Sequence, residues 1–390
     1  MKKDLRFAFA GLLSCAVFLA VSLSGCASEV SETLSYAAAA ASHPDLVPVA
    51  VPAPIKVGVY TDTGASGIGA FEWVRVINDS PELEITLLTG AEIRSGALQG
   101  LDVLVMPGGN SRNEFKSLGE EGAAKLRGFI HDGGCYFGTC AGACLLMDAP
   151  GRVGVIPWDT KGAENVTIMQ KVEVNEKGAA ALGIASGTHA MRYHAGPFMW
   201  PTTNRIDGAN FELWGTYASE ASAKGAVNKN KKMLGAAAII GGTYGEGRVV
   251  AIATHPEYFN STLYIVSGVF SYLTGRKVTF PPRRRNPGAI SVAFLAVNTI
   301  PEKSAEILLA LDGEKNFDVA VVNGDSLGQR ALDHADVVVA SASALSSYKK
   351  LANAVADFEK RGGKKVVYGA AGKPVSPEFI VGEIHKMFAE

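Results

Sequence analysis

Short apolar runs alternate with amphipathic, helix-like stretches over residues 55–280. The apolar and β-branched runs predict strands at 55–60, 83–88, 101–106, 166–174, 211–217, 232–241 and 247–254. The helical spacings predict helices at 70–78, 120–132 and 261–273. Because strands that alternate with helices usually form a parallel sheet covered on both faces, this segment is predicted to be an α/β domain.

The same alternation returns in a shorter form near the carboxyl terminus. A proline-bounded basic run at 281–287 precedes it and is interpreted as a solvated linker, since three arginines are a small footprint for nucleic acid. Beyond the linker, strands are predicted at 289–297, 318–323, 335–340 and 364–369, and helices at 304–311, 343–361 and 377–388. Residues 288–390 are therefore predicted to form a small α/β domain with a docking or ligand-binding role and no identifiable catalytic motif.

The first 54 residues follow neither pattern. A short basic start followed by the apolar run 7–23 is typical of an export signal over residues 1–25. The sequence Leu-Ser-Gly-Cys that ends at Cys26 resembles the bacterial lipobox, which implies that Cys26 is acylated and anchors the protein to a membrane. An ordinary signal peptide and an uncleaved anchor helix are the alternatives. Residues 26–54, rich in Ala, Ser and Pro, are predicted to be a flexible tether.

The lipobox resemblance also implies a location. Ala27, not Asp, follows Cys26, which implies sorting to the outer membrane if the cell is Gram-negative. We therefore expect an exported, membrane-anchored lipoprotein of the bacterial cell envelope.

The composition excludes several classes of function. The chain has 390 residues and a formal net charge of −1, which argues against a nucleic-acid-binding surface. Five cysteines are too few for a disulfide scaffold of this length. The glycine-rich segment 64–69 is not Gly-x-Gly-x-x-Gly and is followed by no Walker lysine, so a tight turn that borders the active site is favoured over a phosphate loop. No cofactor is expected.

The most informative segment is Gly-Thr-Cys-Ala-Gly at 138–142, between a predicted strand and a helix-forming run. This order is typical of a nucleophile elbow, with Cys140 as the nucleophile. A glycine two residues to either side avoids Cβ clashes at such a sharp turn, and the start of the following helix stabilises a thiolate. The N–H groups of Ala141 and of Gly109, in the turn Pro-Gly-Gly at 107–109, are predicted to bind a developing oxyanion.

A cysteine nucleophile needs a base, and the late segment His-Pro-Glu at 255–257 offers one. Residues two apart on an extended chain lean to the same side, so Glu257 can orient His255 while His255 takes the thiol proton. Gly108, Tyr193 and His194 are predicted to line the pocket.

The other two cysteines of this cluster are expected to be structural. Cys135 and Cys144 are expected in the core, although either could form a disulfide with Cys140 in an oxidising compartment. A metal site made from these thiols and His255 is not expected, because the spacing matches no common zinc pattern.

Several of these motifs together resemble the class I glutamine amidotransferase-like superfamily. More narrowly, they resemble the domain found at the N-terminus of biotin–protein ligases and in free-standing bacterial proteins. The segments that carry the resemblance are Pro-Gly-Gly at 107–109, Gly-Thr-Cys-Ala-Gly at 138–142, Arg-Tyr-His-Ala-Gly-Pro at 192–197, Tyr-Gly-Glu-Gly-Arg-Val at 244–249 and His-Pro-Glu at 255–257.

The resemblance covers about residues 55–275 and implies both a fold and a site. The implied fold is a flavodoxin-like three-layer sandwich with a mainly parallel sheet. The implied site is a Cys-His-Glu triad, carried here by Cys140, His255 and Glu257. Glutaminases of this superfamily usually have Gln four residues after the nucleophile, whereas this chain has Cys144, which puts glutamine in doubt as the substrate.

Two hypotheses of function follow from the sequence. The first is an envelope-anchored cysteine hydrolase or amidase that cleaves an amide or acyl bond of a small molecule or peptide. The second is a non-catalytic ligand-binding or scaffold lipoprotein that keeps the elbow without turnover.

Overall fold

A computed structural model describes residues 52–220, 233–282, 287–324, 327, 332–370 and 375–389. The predicted export signal, Cys26 and the predicted tether up to residue 51 lie outside the described residues, as do residues 283–286 of the linker. Within the described ranges, no helix combines the length and the apolar character that a membrane span requires.

The strands belong to two sheets. In chain order they are β1 (Ile55–Tyr60), β2 (Leu83–Leu88), β3 (Val103–Met106), β4 (Cys135–Thr139), β5 (Trp158–Thr160), β6 (Thr167–Val174), β7 (Gly187–His194), β8 (Met199–Pro201), β9 (Ala209–Tyr217), β10 (Ala237–Tyr244), β11 (Gly247–Ile252), β12 (Ile290–Ala296), β13 (Phe317–Asn323), β14 (Val337–Ser341) and β15 (Lys364–Tyr368).

The helices connect and cover these strands. They are α1 (Gly67–Asn78), α2 (Gly90–Arg94), α3 (Ser111–His131), α4 (Ala141–Leu145), α5 (Glu176–Leu182), α6 (Leu263–Thr274), α7 (Ser304–Asp312), α8 (Ala342–Ser347), α9 (Lys349–Lys360) and α10 (Pro377–Met387). Two short 3-10 turns, Pro256–Tyr258 and Asn260–Thr262, lie between β11 and α6.

The main sheet has a parallel half and an antiparallel half. Its order is β2-β1-β3-β4-β11-β10-β9-β6-β7, and the pairs from β2 to β11 are parallel. From β11 onward the neighbours β10, β9, β6 and β7 pair antiparallel. The chain runs from β1 to β2 in one direction and from β3 to β4 in the other, so right-handed crossovers place α1 and α3 on opposite faces. The predicted α/β architecture is confirmed, with an antiparallel extension beyond it.

The second sheet is smaller and entirely parallel. Its order is β13-β12-β14-β15, which reverses direction between β12 and β14. This order is that of a doubly wound sheet and agrees with the small α/β domain predicted for residues 288–390. Its strands begin and end within a few residues of the predicted ones.

A continuous hydrophobic core joins the small domain to α1. Phe71 of α1 packs edge-to-face on Phe294 of β12, with 5.3 Å between the ring centroids, and both rings are fully buried. Nearby, Arg75 Nη2 donates a hydrogen bond to Val319 O at 2.6 Å, and its Nε lies 3.7 Å from Asp312 Oδ1. Residues 54–390 therefore form one compact unit in spite of their two sheets.

Two predicted helices have different limits in the structure. The helix predicted at 120–132 is the second part of α3, which begins nine residues earlier because the Asn110 side chain accepts hydrogen bonds from Arg112 N and Asn113 N. Gly119 interrupts the helical backbone of α3 with φ of 63°. The helical spacing therefore predicted only the part of α3 that follows this glycine. The helix predicted at 343–361 is split into α8 and α9 at Tyr348, whose backbone is extended.

Other elements were missed or misplaced. Unpredicted elements are α2, α5, β5, β7 and β8. The strand predicted at 232–241 is β10, Ala237–Tyr244, and it lies further along the chain. Both α2 and α5 are short and are stabilised by side-chain caps at Thr89 and Asn175, a signal too local to stand out from apolar periodicity.

Candidate active site

Cys140 occupies a strained turn between β4 and α4. Its backbone has φ of 50° and ψ of −105°, a conformation that residues with a side chain rarely adopt. The Cys140 N–H donates to Ile252 O at 2.8 Å, which fixes the turn to the end of β11. The side chain is 7% exposed. The fold thus holds this thiol at the carboxyl edge of the parallel half, in the geometry of a nucleophile elbow.

The glycines around the elbow lie where no side chain fits. A Cβ placed on Gly138 would lie 2.6 Å from the Gly142 carbonyl group, and one placed on Gly142 would lie 2.1 Å from Met106 O. A Cβ on Gly108 would lie 2.6 Å from His255 Cε1 and 3.2 Å from Cys140 Cβ. The close approach of β3, the elbow and His255 therefore depends on these glycines.

The structure brings His255 and Glu257 together behind Cys140. His255 Nδ1 lies 2.8 Å from Glu257 Oε1, and the Cys140 thiol is a hydrogen-bond partner of the same ring. Burial by itself would lower the pKa of His255, but the Glu257 carboxylate and the Cys140 thiol outweigh it and raise the pKa to about 9. A protonated ring at neutral pH is the state that stabilises a neighbouring thiolate.

The Glu257 carboxylate makes its one hydrogen bond among the described residues to His255. Its side chain is fully buried, and Oε2 has no hydrogen-bond partner among the described residues. A buried carboxylate with one free oxygen is costly unless a cation faces it, so the imidazolium form of His255 is favoured.

The two predicted oxyanion donors lie in the same region as the thiol. Gly109 and Ala141 both line the space around Cys140. The turn at 107–109 is held by hydrogen bonds from Ser66 N to Gly108 O and from Asn110 N to Gly64 O. Neither the Gly109 N–H nor the Ala141 N–H donates to a backbone carbonyl in the described part of the chain, so both are available to a ligand oxygen.

Cys140 opens into a cavity of about 730 Å³, within the range of about 300–1,000 Å³ typical of ligand pockets. His255, Gly108 and Gly109 line it, and so does the turn after β1, as predicted for the glycine-rich segment 64–69. An open hollow of about 900 Å³ lies at the opposite edge, where β1 and β4 begin, and contains none of the predicted catalytic residues.

His194 lines the cavity but Tyr193 does not. His194 ends β7, and its carbonyl oxygen lies 3.7 Å from Cys140 Sγ. Burial, followed by the charges of Arg192 and His255, lowers the pKa of the His194 ring, so it is neutral at neutral pH. The prediction for Tyr193 needs correction, because alternation along β7 turns this ring into the core, where its hydroxyl donates to Gly196 O at 3.0 Å.

Cys135 and Cys144 are buried free thiols. Cys135 Sγ donates to Leu273 O at 3.1 Å, away from the cavity, and burial raises the pKa of this thiol. Burial and the nearby Cys140 raise the pKa of Cys144 to about 12. Both thiols are therefore poor nucleophiles at neutral pH. In the described ranges, no group of three or more His, Cys, Asp or Glu side chains is placed to hold a metal ion.

Two residues that were not predicted as site residues from the sequence also line the cavity beside His255. Arg192 and Tyr258 line it, and the Arg192 guanidinium lies over the Tyr258 ring, 4.1 Å from the centroid. The backbone N–H of His255 donates to Arg192 O at 2.8 Å, which connects β7 to the turn that carries His255. The signal for Arg192 was its position in the motif at 192–197, but the sequence did not show that β7 reaches His255.

Comparison with known proteins adds a family likeness for one segment. Residues 57–146 match the model of the family described as biotin-protein ligase, N terminal. The pyridoxal 5'-phosphate synthase subunit PdxT of Corynebacterium jeikeium is 50% identical over 56 residues, which are 14% of this chain and 29% of that protein. The chain thus spans less than a third of the length of that curated relative.

Solved structures with similar topology are more distant in sequence. A glutamine amidotransferase has 20% identity and a TM-score of 0.37, and the match covers 56% of this chain and 100% of the other. A putative ThuA-like protein from Bacteroides uniformis has 11% identity and a TM-score of 0.45, covering 60% of this chain and 97% of the other. The predicted resemblance is therefore confirmed at the level of the family match: residues 57–146, which include Gly109 and Cys140, are similar to the N-terminal domain of biotin–protein ligases.

Proposed function

We propose that this protein is a cysteine-dependent hydrolase that cleaves an amide or related acyl bond. The observation that carries the proposal is the strained Cys140 turn with His255 as its partner and Glu257 2.8 Å behind the ring. Strain at a buried nucleophile is costly, and it is maintained where it places a reactive atom at the mouth of a cavity.

The proposed reaction has two halves. In the resting pair the thiol proton has already passed to His255, and the Cys140 thiolate forms a bond to the substrate carbonyl carbon while the carbonyl oxygen gains charge beside the N–H groups of Gly109 and Ala141. The carbon–nitrogen bond then breaks, and the amine leaves with the proton from His255. Water gives a proton to His255 and attacks the thioester, the carbon–sulfur bond breaks, and the pair of thiolate and imidazolium is restored as the acid departs.

Glu257 acts as a positioning residue throughout this sequence. It accepts the Nδ1–H bond, so the other ring nitrogen faces the thiol, and its charge stabilises the imidazolium that forms in each half. His255 carries a positive charge when it is protonated. The proposed reaction uses no base other than His255.

The test is alkylation of Cys140 by iodoacetamide as a function of pH, followed by peptide mass mapping. We expect labelling at about pH 6, well below the ordinary cysteine pKa of about 8.5, at a rate at least about tenfold above that of Cys135 or Cys144. An amide and peptide screen that compares the wild type with Cys140→Ala then identifies the substrate. Labelling only above the ordinary pKa, with no Cys140-dependent turnover, would favour the scaffold alternative.

We also propose that the enzyme acts at the cell envelope, held by acylation of Cys26. The support is the sequence alone: an export signal followed by Leu-Ser-Gly-Cys. Several acyl chains anchor a protein stably because each buried methylene contributes about 0.8 kcal/mol.

Metabolic labelling with a palmitate analogue tests this anchoring. The wild type is expected to incorporate the label and to fractionate with membranes, and Cys26→Ala is expected to lose both properties. Cys15→Ala, a change of the same type within the predicted signal, is the matched control and should keep them. A Cys26→Ala protein that still takes the label would contradict the proposal.

A further inference from the structure

The small domain supplies one wall of the cavity that contains Cys140. Asn298, Thr299 and Ile300, in the loop after β12, line this cavity together with Asn323 at the end of β13. Both Asn298 and Thr299 are exposed, so a ligand in the cavity can reach them. The domain for which the sequence predicted no chemistry thus lines the same cavity as the predicted nucleophile.

This wall is fixed to the main domain at the start of α1. The Gly67 N–H donates to Asn298 O at 3.4 Å, and Ser66 Oγ lies 3.5 Å from Asn298 Oδ1. A Cβ on Gly67 would lie 2.4 Å from Val297 O. The loop therefore approaches α1 more closely than a residue with a side chain at position 67 would permit. Asn298 is therefore positioned by backbone contacts before a ligand arrives.

The topology explains why the two domains meet at this place. The turn after β1, the turn after β3 and the elbow after β4 all lie at the carboxyl edge of the parallel half of the main sheet. The loop after β12 and the end of β13 lie at the carboxyl edge of the small sheet. Ligands of doubly wound sheets bind at such edges, and here both edges face one cavity.

The charges in the cavity indicate what kind of ligand it takes. Asp62 is engaged within the protein, since its carboxylate accepts hydrogen bonds from Gly90 N at 3.0 Å and Ser117 Oγ at 2.9 Å. Burial opposes ionisation of Asp62, but these hydrogen bonds outweigh it and lower its pKa. Arg192 lines the same cavity and its guanidinium lies over the Tyr258 ring, so it is the natural partner of an anionic ligand group.

We propose that residues 288–390 form the substrate-recognition wall of the Cys140 site, and that the cavity takes an amide that carries a carboxylate, as a short peptide or an N-acyl amino acid does. Arg192 pairs with the carboxylate, and Asn298 binds the polar groups on the opposite side. This inference rests on the proposed function and adds to it a substrate class and a role for the small domain.

A matched pair of affinity labels tests the proposal. Chloroacetyl-L-alanine and its amide differ only in the terminal carboxylate, and each alkylates a thiolate with loss of chloride as the carbon–sulfur bond forms. Saturation of Cys140 labelling is followed by mass spectrometry. We expect the half-saturating concentration of the acid to be about tenfold below that of the amide, because only the acid forms a charge-assisted hydrogen bond with Arg192.

Variants of both walls separate the contributions. Asn298→Ala is expected to raise the half-saturating concentration of both labels by about threefold to tenfold, because a neutral hydrogen bond contributes about 0.5–1.5 kcal/mol. Asn298→Asp, which is nearly isosteric, should weaken the acid more than the amide. Arg192→Gln should remove the preference for the acid, and Arg192→Lys should restore part of it. Asn353→Ala, on the exposed face of α9 in the same domain, is the matched control and should behave as the wild type.

The rate with iodoacetamide is measured in every variant, so that a change in thiol reactivity is separated from a change in binding. If wild-type Cys140 reacts with iodoacetamide no faster than an ordinary cysteine, the proposed function fails, and this inference fails with it. If Cys140 is reactive but both Asn298 variants saturate as Asn353→Ala does, the small domain is not the wall. If the acid and the amide saturate alike in the wild type, the carboxylate-bearing class is wrong. The proposed function survives either of these last two results.

Discussion

Replacing Glu257 by glutamine is expected to lower the pKa of His255 from about 9 toward its ordinary value of about 6.5 and to slow Cys140-dependent turnover by about 10²–10⁴-fold. Burial of the ring by itself disfavours the imidazolium, and the carboxylate 2.8 Å from Nδ1 is the largest influence that opposes burial. Glutamine has almost the same volume and no charge, so the ring keeps its place but loses the group that holds its proton.

The same pair couples stability to pH. Because the pKa of His255 is raised in the folded protein, its stabilising contribution is fully present below about pH 6.5 and is lost as the pH rises through about 9. The shift corresponds to about 3 kcal/mol. The Glu257→Gln protein should lose most of this dependence, whereas the wild type should be less resistant to urea at high pH.

NMR titration of isotope-labelled histidine measures the pKa directly, and the spectrum of His255→Gln identifies the signal among the seven histidines. Glu246→Gln, on the exposed turn between β10 and β11, is the matched control and should change neither the titration nor the turnover. A His255 pKa that stays near 9 in Glu257→Gln would contradict the role assigned to Glu257.

Trp73→Ala is expected to reduce the free energy of unfolding by about 3–5 kcal/mol. The Trp73 ring is fully buried and packs edge-to-face on Phe137, with 5.0 Å between the ring centroids. Its Nε1–H donates to Thr139 Oγ1 at 3.2 Å, directly before the elbow. Alanine would leave a cavity under β4 and would deprive the buried Thr139 hydroxyl of this hydrogen bond.

Urea denaturation followed by circular dichroism measures this loss. Trp73→Phe keeps most of the ring volume and should cost less, about 1–3 kcal/mol, chiefly through the hydrogen bond to Thr139. Met169→Ala, at a side chain of β6 that is 51% exposed, is the surface control and should stay within about 0.5 kcal/mol of the wild type. A loss below about 1 kcal/mol for Trp73→Ala would contradict the packing described here.

Local patterns predicted the parallel core of the fold well. The strands at 55–60 and 83–88 match β1 and β2 residue for residue. Their apolar runs are bounded by turns, and such runs need no knowledge of distant partners. The antiparallel strand β7 was missed because its buried face includes the polar His189 and its exposed face includes Ala190, so its hydrophobic alternation is weak.

The candidate site was predictable in part for the same reason. The elbow at Cys140 is a local requirement, since glycines must lie two residues to either side of a strained turn. The pair His255 and Glu257 is separated by one residue and is also visible in the chain. Tyr193 was assigned to the wrong side, because the orientation of a strand residue depends on which face of the sheet is buried.

By itself, the sequence determined the α/β alternation, the candidate nucleophile turn at Cys140 and the pair His255 and Glu257, because each depends on residues close together in the chain. Only the tertiary structure decided that Arg192 lies beside His255 and that Asn298 of the small domain lines the same cavity as Cys140. Those placements depend on strand order and on the packing of Phe71 against Phe294, which are set by contacts between distant segments. Hydrophobic burial stabilises such packing but requires no short sequence motif, so no local pattern predicts it.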